Sequence, residues 1–511
     1  MSERRGGGRA RRAKRERLLA SPQAAVWQLR NPYPHVELLS SDQIEAIHNA
    51  SLRILAEQGV RILNHEARDI LRAAGAEVDS QTLHVRFDPT LLEESLSRAP
   101  SVVKLHARNP AHNIEVGKDL ICFAAVGGPP HCTDLERGRR AGTLADFRDF
   151  MRLSQSFDVI HINGMPIEPI DIPTNLRHLN TAFSTLTLTD KVPFIYARGK
   201  QAVADALEMV RIARQVSREQ FVREPSVYTV VNANSPLQYD VPMAQGIIDM
   251  ARAGQFTIVT PFTLAGAMAP ITLAGALAQQ NAEALAGIAL AQIVRPGAPV
   301  GYGAFTSNVD MKSGAPAFGT PEYTKAAIAS GQLIRRYNVP YRSSNVNASN
   351  AADAQAAYES MMSTWGALLG GCHILMHGAG WLEGGLSASY EKFIIDIEIL
   401  RMMAAFLQPL QIDDASLALD AIEEVGPGGH YFGAAHTLAR FETAFWSPLL
   451  SDWRNFETWQ EAGALDATQR AHSLYKQTLA DFVPPPIEAA IEEQLEAFKD
   501  QRQAEGGAEI G

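Results

Sequence analysis

From Leu120 onward the chain repeats one pattern: a short, almost wholly apolar run ends in Gly, Pro or Asn, and a longer segment of helical periodicity follows. The short runs Ile121–Val126, Val159–Asn163, Pro193–Ala197, Ser226–Asn232, Phe256–Thr260, Val300–Phe305, Pro340–Val346 and Cys372–Met376 read as eight strands. Between them Leu144–Ser156, Val203–Val216, Pro242–Ala253, Leu273–Ile293, Pro321–Tyr337 and Ala354–Leu369 read as helices, with Tyr390–Phe406 as a closing helix. A run without polar alternation is what a strand covered on both faces requires. Most strand starts are about 30–45 residues apart, the size of a βα unit. The pattern predicts an α/β chain built on a TIM-type (β/α)8 barrel. A doubly wound sheet is the alternative, but no G-x-G-x-x-G follows any early strand.

Three further regions flank the barrel, expected over 119–410. Residues 1–40 are basic and then Pro-punctuated, and are expected to be a disordered tail and lead-in. Residues 41–118 read as a small N-terminal α+β region. It has helices over Ser41–Gln58, N-capped by Ser41 with Asp42, and over Glu66–Ala74, and strands over Leu83–Phe87 and Val102–Ala107. Residues 411–511 read as a helical extension broken at Val425–Gly433, serving as a cap or as an element of a homo-oligomer, with Gly506–Gly511 fraying.

Charge narrows the function classes. Residues 3–17 carry eight basic and two acidic side chains; taking this +6 from the formal −10 leaves a body near −16. Such a body repels phosphate backbones, which argues against nucleic acid. No segment reads as a membrane span or a complete export signal, and Cys122, Cys132 and Cys372 are too few and scattered for a disulfide framework, so a cytoplasmic enzyme is expected. His161, His178, His373 and His377 lack metal-ligand spacing, no G-x-S-x-G occurs, and no phosphate loop is present, so no bound metal is expected.

The loops after the strands hold the better lead, because a barrel keeps its chemistry at the C-terminal strand ends. Tyr302 and Phe305 precede Asp310; Tyr341, Ser343, Ser344 and Asn345 precede Asn347; His377 precedes Trp381 and Glu383. Aromatic faces with a carboxylate nearby suit a quaternary ammonium ion, which the ring quadrupole attracts and which cannot donate an ordinary hydrogen bond. The structural alternative is that these rings pack the interior and the acids turn loops.

Gly297–Met361 and Gly366–Leu400 resemble the trimethylamine methyltransferase family, most specifically at Val309–Asp310–Met311, Gly319–Thr320–Pro321–Glu322 and Trp381–Leu382–Glu383–Gly384. The likeness extends back through Phe123–Phe147 to about Ser41. It implies an α/β barrel that moves a methyl group from a methylated amine to the cobalt of a corrinoid (cobalamin) cofactor carried by a separate corrinoid protein. It also implies site roles. Tyr302, Phe305 and Trp381 would cage the methyl groups, and Asn345, Asn347 and His377 would hold the polar end. Asn345 would touch the reacting end as the catalytic residue, while Asp310 and Glu383 would fix loops behind the pocket. Family members acting on trimethylamine carry pyrrolysine on the loop matching Ser349–Asp353, at about Ala352, and this chain has none. That departure shifts the expected donor from tertiary to quaternary amines such as glycine betaine. The alternatives are methyltetrahydrofolate as donor, a trimethylamine enzyme lacking pyrrolysine, and a non-catalytic barrel that binds the corrinoid protein.

Overall fold

The computed structural model describes residues 28–509 and is a mixed α/β protein. Helix α1 (Ser41–Arg53) opens on a capping box in which Ser40, one residue before the expected cap, accepts from the Gln43 amide while the Gln43 side chain returns to Ser40. Its last turn widens into a π-helix over Ile54–Gln58. The short strands Val60–Ile62, Glu77–Val78 and His84–Arg86 form a small sheet, and a separate hairpin pairs Val103–Leu105 with Ile114–Val116.

The central sheet contains six parallel strands: β1 (Leu120–Phe123), β2 (Tyr228–Val231), β3 (Phe256–Val259), β4 (Val300–Gly303), β5 (Tyr341–Ser344) and β6 (Ile374–Met376). Their spatial order is β1-β6-β5-β4-β3-β2. Leu29–Arg30 pairs antiparallel on the outer side of β1, so this part of the expected lead-in is ordered backbone. Residues 1–27, which carry the basic tail, lie outside the described residues. The expected strands Val159–Asn163 and Pro193–Ala197 do not form ladders. Single parallel bridges instead join Ala124 to Ile162, Ile162 to Val192, and Phe194 to Tyr228.

Helices α2 (Leu144–Ser156), α3 (Thr174–Leu188), α4 (Lys200–Arg214), α5 (Val241–Ala253), α6 (Leu273–Val294), α7 (Pro321–Tyr337), α8 (Ala354–Leu369) and α9 (Tyr390–Phe406) follow the strands and bridges. Helix α3 was not foreseen, because its Thr- and Asn-rich sequence carries a weak apolar stripe. Helix starts are set locally. The Thr320 hydroxyl accepts from the Tyr323 amide with Pro321 at the first helical position, and Asp353 accepts from the Ala356 amide. The C-terminal region is less helical than expected between Gln411 and Glu461, where helices are short, and regains regular structure in α10 (Ala467–Ala480) and α11 (Ala489–Ala504). Its end does not fray up to the last described residues: the Ala508 amide donates to Asn175 O at 2.9 Å. No helix among the described residues is long and apolar enough to cross a membrane.

Candidate active site

Register decides which side chains reach the interior of the sheet. Tyr302 pairs with Tyr341 and Gly303 with Arg342. Alternation along β4 and β5 sends both tyrosines outward against helices. Tyr302 Oη lies 3.2 Å from Asn281 Oδ1 on α6, and Tyr341 Oη donates to Ala327 O on α7. Tyr302 therefore does not enter the pocket, and its expected place in a substrate cage is corrected. Gly303 is required by close packing against the neighbouring strand, since a Cβ there would collide with the Thr260 side chain.

The cavity at the C-terminal strand ends holds about 250 Å³. Its walls include Phe262, Phe305, Trp381, His377, Tyr196 and Asn232, and Arg342 is among the lining groups. Among the described residues none of the lining side chains is a carboxylate. Phe262 and Phe305 stand directly opposite each other because Phe262–Ala265 and Phe305–Val309 pair in parallel, and their ring centroids are 5.1 Å apart. Phe305 lies 6.2 Å from Trp381 and 6.4 Å from His377, and the last two rings are 4.2 Å apart. Gly385, at φ +97°, presses against the Trp381 ring, and a Cβ there would come within 2.5 Å of it.

Arg342 is the group that sequence reasoning missed. Its residue is 3% exposed, its Cζ sits 5.3 Å from the Phe305 centroid, and its Nη2 is 3.1 Å from His377 Nε2. Nε and Nη1 are buried and have no hydrogen-bond partner among the described residues, and no carboxylate pairs with the guanidinium there. His377 Nδ1 accepts from the Gly127 amide at 3.1 Å, so a neutral ring carries its proton on Nε2 and offers Arg342 no acceptor. Burial pulls the guanidinium down to about 10, so it remains charged at neutral pH. Burial first, and Arg342 second, hold His377 well below the usual histidine range. The available sequence signal was one charged residue inside a strand otherwise expected to be buried.

The asparagines lie behind this wall. Asn345 Nδ2 donates to Gly378 O at 3.0 Å and to Asp396 Oδ1 at 3.2 Å, so Asn345 holds the loop and does not line the cavity. That corrects its expected contact with the reacting end. Asn347 Nδ2 donates to Trp381 O at 2.7 Å, and Trp381 Nε1 donates to Asn347 O at 3.2 Å, which fixes the indole. Beneath them Asp396 pairs with Lys392, both wholly buried, and accepts from the Gly380 amide at 2.9 Å. Lys392 Nζ also donates to Ser360 at 2.8 Å. His377 itself sits at φ 56°, an uncommon conformation for a residue with a Cβ. Asp310 is exposed and accepts from Lys312 and Ser313 within its own turn. Glu383 bridges rim loops through Arg139 at 2.8 Å. Ala352 does not line the cavity; its carbonyl accepts from Thr468. Among the described residues no group of three His, Cys, Asp or Glu side chains could hold a metal ion.

A small aromatic cleft at the ends of parallel strands marks an α/β enzyme that takes a small organic molecule. Comparison with known proteins narrows that class. The trimethylamine methyltransferase (MTTB) family model matches residues 4–507, so the chain belongs to that family and is a methyltransferase. It is 38% identical over 481 residues to the glycine betaine methyltransferase of Desulfitobacterium hafniense strain Y51, covering 93% of this chain and 99% of that protein. It is 31% identical over 471 residues to the trimethylamine methyltransferase of Desulfitobacterium hafniense strain DSM 10664 / DCB-2, covering 92% and 94% respectively. Among solved structures, the monomethylamine methyltransferase of Methanosarcina barkeri aligns with a TM-score of 0.48 at 11% identity, over 87% of this chain and 93% of that one.

Proposed function

We propose that this chain demethylates a quaternary amine bearing a carboxylate, of the glycine betaine type, and passes the methyl group to the corrinoid of a separate partner protein. The observation that carries this reading is Arg342, a buried guanidinium that no carboxylate of the described residues pairs with, beside an aromatic wall to which the described residues contribute no carboxylate. A buried charge left unpaired costs several kcal/mol, roughly, so the site is complete only when an anion enters. A carboxylate accepts charge-assisted hydrogen bonds from the guanidinium, and its ammonium, one carbon away, has the aromatic walls of the same cavity to turn to. Phe262, Phe305 and Trp381 hold that cation through their faces. Trimethylamine leaves Arg342 unanswered. A pterin donor needs a paired carboxylate and amide, and the walls supply no carboxylate.

The transfer breaks one N–CH3 bond; the electron pair stays on nitrogen, which leaves as a neutral tertiary amine. The reduced corrinoid, as second substrate, supplies the electron pair that takes up the methyl group. The chain's own residues orient and exclude water. Positive charge leaves nitrogen in the transition state, so a carboxylate touching the ammonium would hold the ground state more firmly than the transition state. Aromatic faces do so less.

We further infer that the six strands and the two bridged segments close into a (β/α)8 barrel over about 119–410. The bridges at Ile162, Val192 and Phe194 support closure between β1 and β2. Residues 41–118 then pack on the barrel and 411–511 form its extension. The function is tested by incubating the protein with reduced corrinoid protein and glycine betaine, trimethylamine or methyltetrahydrofolate in parallel. Methylated corrinoid and dimethylglycine are expected from glycine betaine alone. Methyl transfer only from an uncharged or pterin donor, or from none, would sink the reading.

A further inference from the structure

A second cavity shares a wall with the first. It holds about 210 Å³ between the segment 193–197 and helices α3 and α4, and Phe194, Tyr196 and Arg198 line both cavities. The sheet parts at this wall. Past the bridge between Ile162 and Val192 and the bond from the Asn163 amide to Val192 O, residues 164–166 and 194–196 share no backbone hydrogen bond among the described residues. Met165 O accepts instead from the Gly128 amide at 2.9 Å, and the Ile195 amide donates to Tyr228 O at 3.1 Å. The partition is therefore made of side chains, Phe194 and Tyr196, and not of a strand ladder. Tyr196 spans it: a Cβ added to Gly128, in the loop after β1, would stand 3.7 Å from the tyrosine hydroxyl oxygen. Phe194 meets the Tyr196 ring edge-on at 5.3 Å.

The chamber behind this partition suits uncharged matter. Ala182, Leu186, Ile195, Ala206 and Val210 give it apolar walls. Of its charge-bearing side chains, Arg177 pairs with Glu168 at 2.8 Å, His178 donates to Asp205 at 3.0 Å, and Arg198 is exposed to solvent. An ion entering would find no buried counter-charge, whereas an apolar group gains burial. We propose that the chamber is a subsite for an uncharged side chain on the α-carbon of the betaine, and that Tyr196 is the specificity-determining residue that limits its size. The inference rests on the reading above, in which Arg342 takes the carboxylate and Phe262, Phe305 and Trp381 take the ammonium. The carbon between those two charges still carries hydrogens that a side chain can replace. Among the walls that neither charge engages are Phe194 and Tyr196, which lead to the chamber. Because no ladder bond crosses the partition, shortening Tyr196 opens the passage without breaking a strand pairing.

Titration calorimetry and methyl transfer to reduced corrinoid protein, each with glycine betaine and with the trimethylated betaines of alanine and leucine, test this. Transfer from the leucine betaine leaves N,N-dimethylleucine, with the electron pair retained on nitrogen. The unaltered chain should accept the alanine betaine and discriminate against the leucine betaine. In Tyr196→Ala the ratio of kcat/KM for leucine betaine to that for glycine betaine should rise by about 30-fold or more. Tyr196→Phe, which keeps the ring, should leave the ratio where it was. Adding Ala182→Phe refills the chamber from α3 and should cancel the gain. Far-UV circular dichroism checks that each variant folds; Tyr196→Leu and Ala206→Phe make the same test where the first choice does not. An unaltered chain indifferent to side-chain size, a ratio that stays put in Tyr196→Ala, or a gain that survives the refilled chamber overturns the proposal and leaves the glycine betaine reading standing. An unaltered chain that neither binds nor demethylates glycine betaine overturns that reading and this inference with it.

Discussion

Replacing Arg342 with methionine should stabilise the ligand-free protein while disabling it. The guanidinium is buried, has two unpartnered nitrogens and no carboxylate among the described residues, and its burial pulls it down to about 10. That displacement corresponds to up to about 3 kcal/mol of unfavourable folding free energy at neutral pH. The sign follows from proton binding: a base whose folded value is depressed penalises folding wherever the group is charged in both states, and the penalty fades only as pH rises past about 10. Methionine fills a similar volume without charge, so the chemical-denaturation midpoint should rise in Arg342→Met. The same change removes the carboxylate's charge-assisted partner, worth roughly 2–4 kcal/mol, so kcat/KM for glycine betaine should fall about 30- to 1,000-fold. Glycine betaine should raise the melting temperature of the unaltered chain and leave that of the variant in place. A variant that is clearly destabilised yet still shifts with glycine betaine would refute the assignment of Arg342 as the carboxylate's partner.

Three other outcomes follow from the same geometry. Phe305→Ala should weaken glycine betaine binding by about 5- to 30-fold in titration calorimetry while leaving stability loss to the cavity alone. Lys392→Met should strand the buried Asp396 carboxylate and cost about 3–5 kcal/mol in denaturant unfolding, and adding Asp396→Leu should recover most of that loss in a double-mutant cycle. An independent single-mutant sum in that cycle would show that the pair does not act together. Because His377 is held below the usual range, it stays neutral at neutral pH. The protein should lose stability as pH falls below the ordinary histidine value of 6.5, and His377→Gln should flatten that decline. Equal pH dependence in the variant would exclude His377 as its source.

Much of the framework was legible because its causes are local. Parallel strands buried on both faces need uninterrupted apolar runs, and six of the eight expected strands stand in the central sheet. Leu144–Ser156, Pro321–Tyr337, Ala354–Leu369 and Tyr390–Phe406 are helices over the expected residues. Helix α3 escaped because packing, not periodicity, makes it a helix. The paired segments Phe262–Ala265 and Phe305–Val309 lie past the expected strand Phe256–Thr260 and across the end of the expected strand Val300–Phe305, and only their pairing with each other makes them strands.

Within the site, Phe305, His377 and Trp381 could be placed from chain position alone, since each follows a strand on the side where the pocket opens. Which way a strand residue faces could not. Tyr302 and Arg342 sit on strands of similar composition, and a shift of one residue in phase would have exchanged interior for exterior. The chain by itself determined the rhythm of strands and helices and its kinship with methyltransferases, because burial periodicity and motif are properties of neighbours in sequence. Only the tertiary structure decided that Tyr302 turns outward to α6, that Asn345 braces a loop, and that Arg342 is buried beside Phe305 with no carboxylate of the described residues against it. Those outcomes depend on register between strands far apart in the chain, and on which side chains that register brings next to a buried charge.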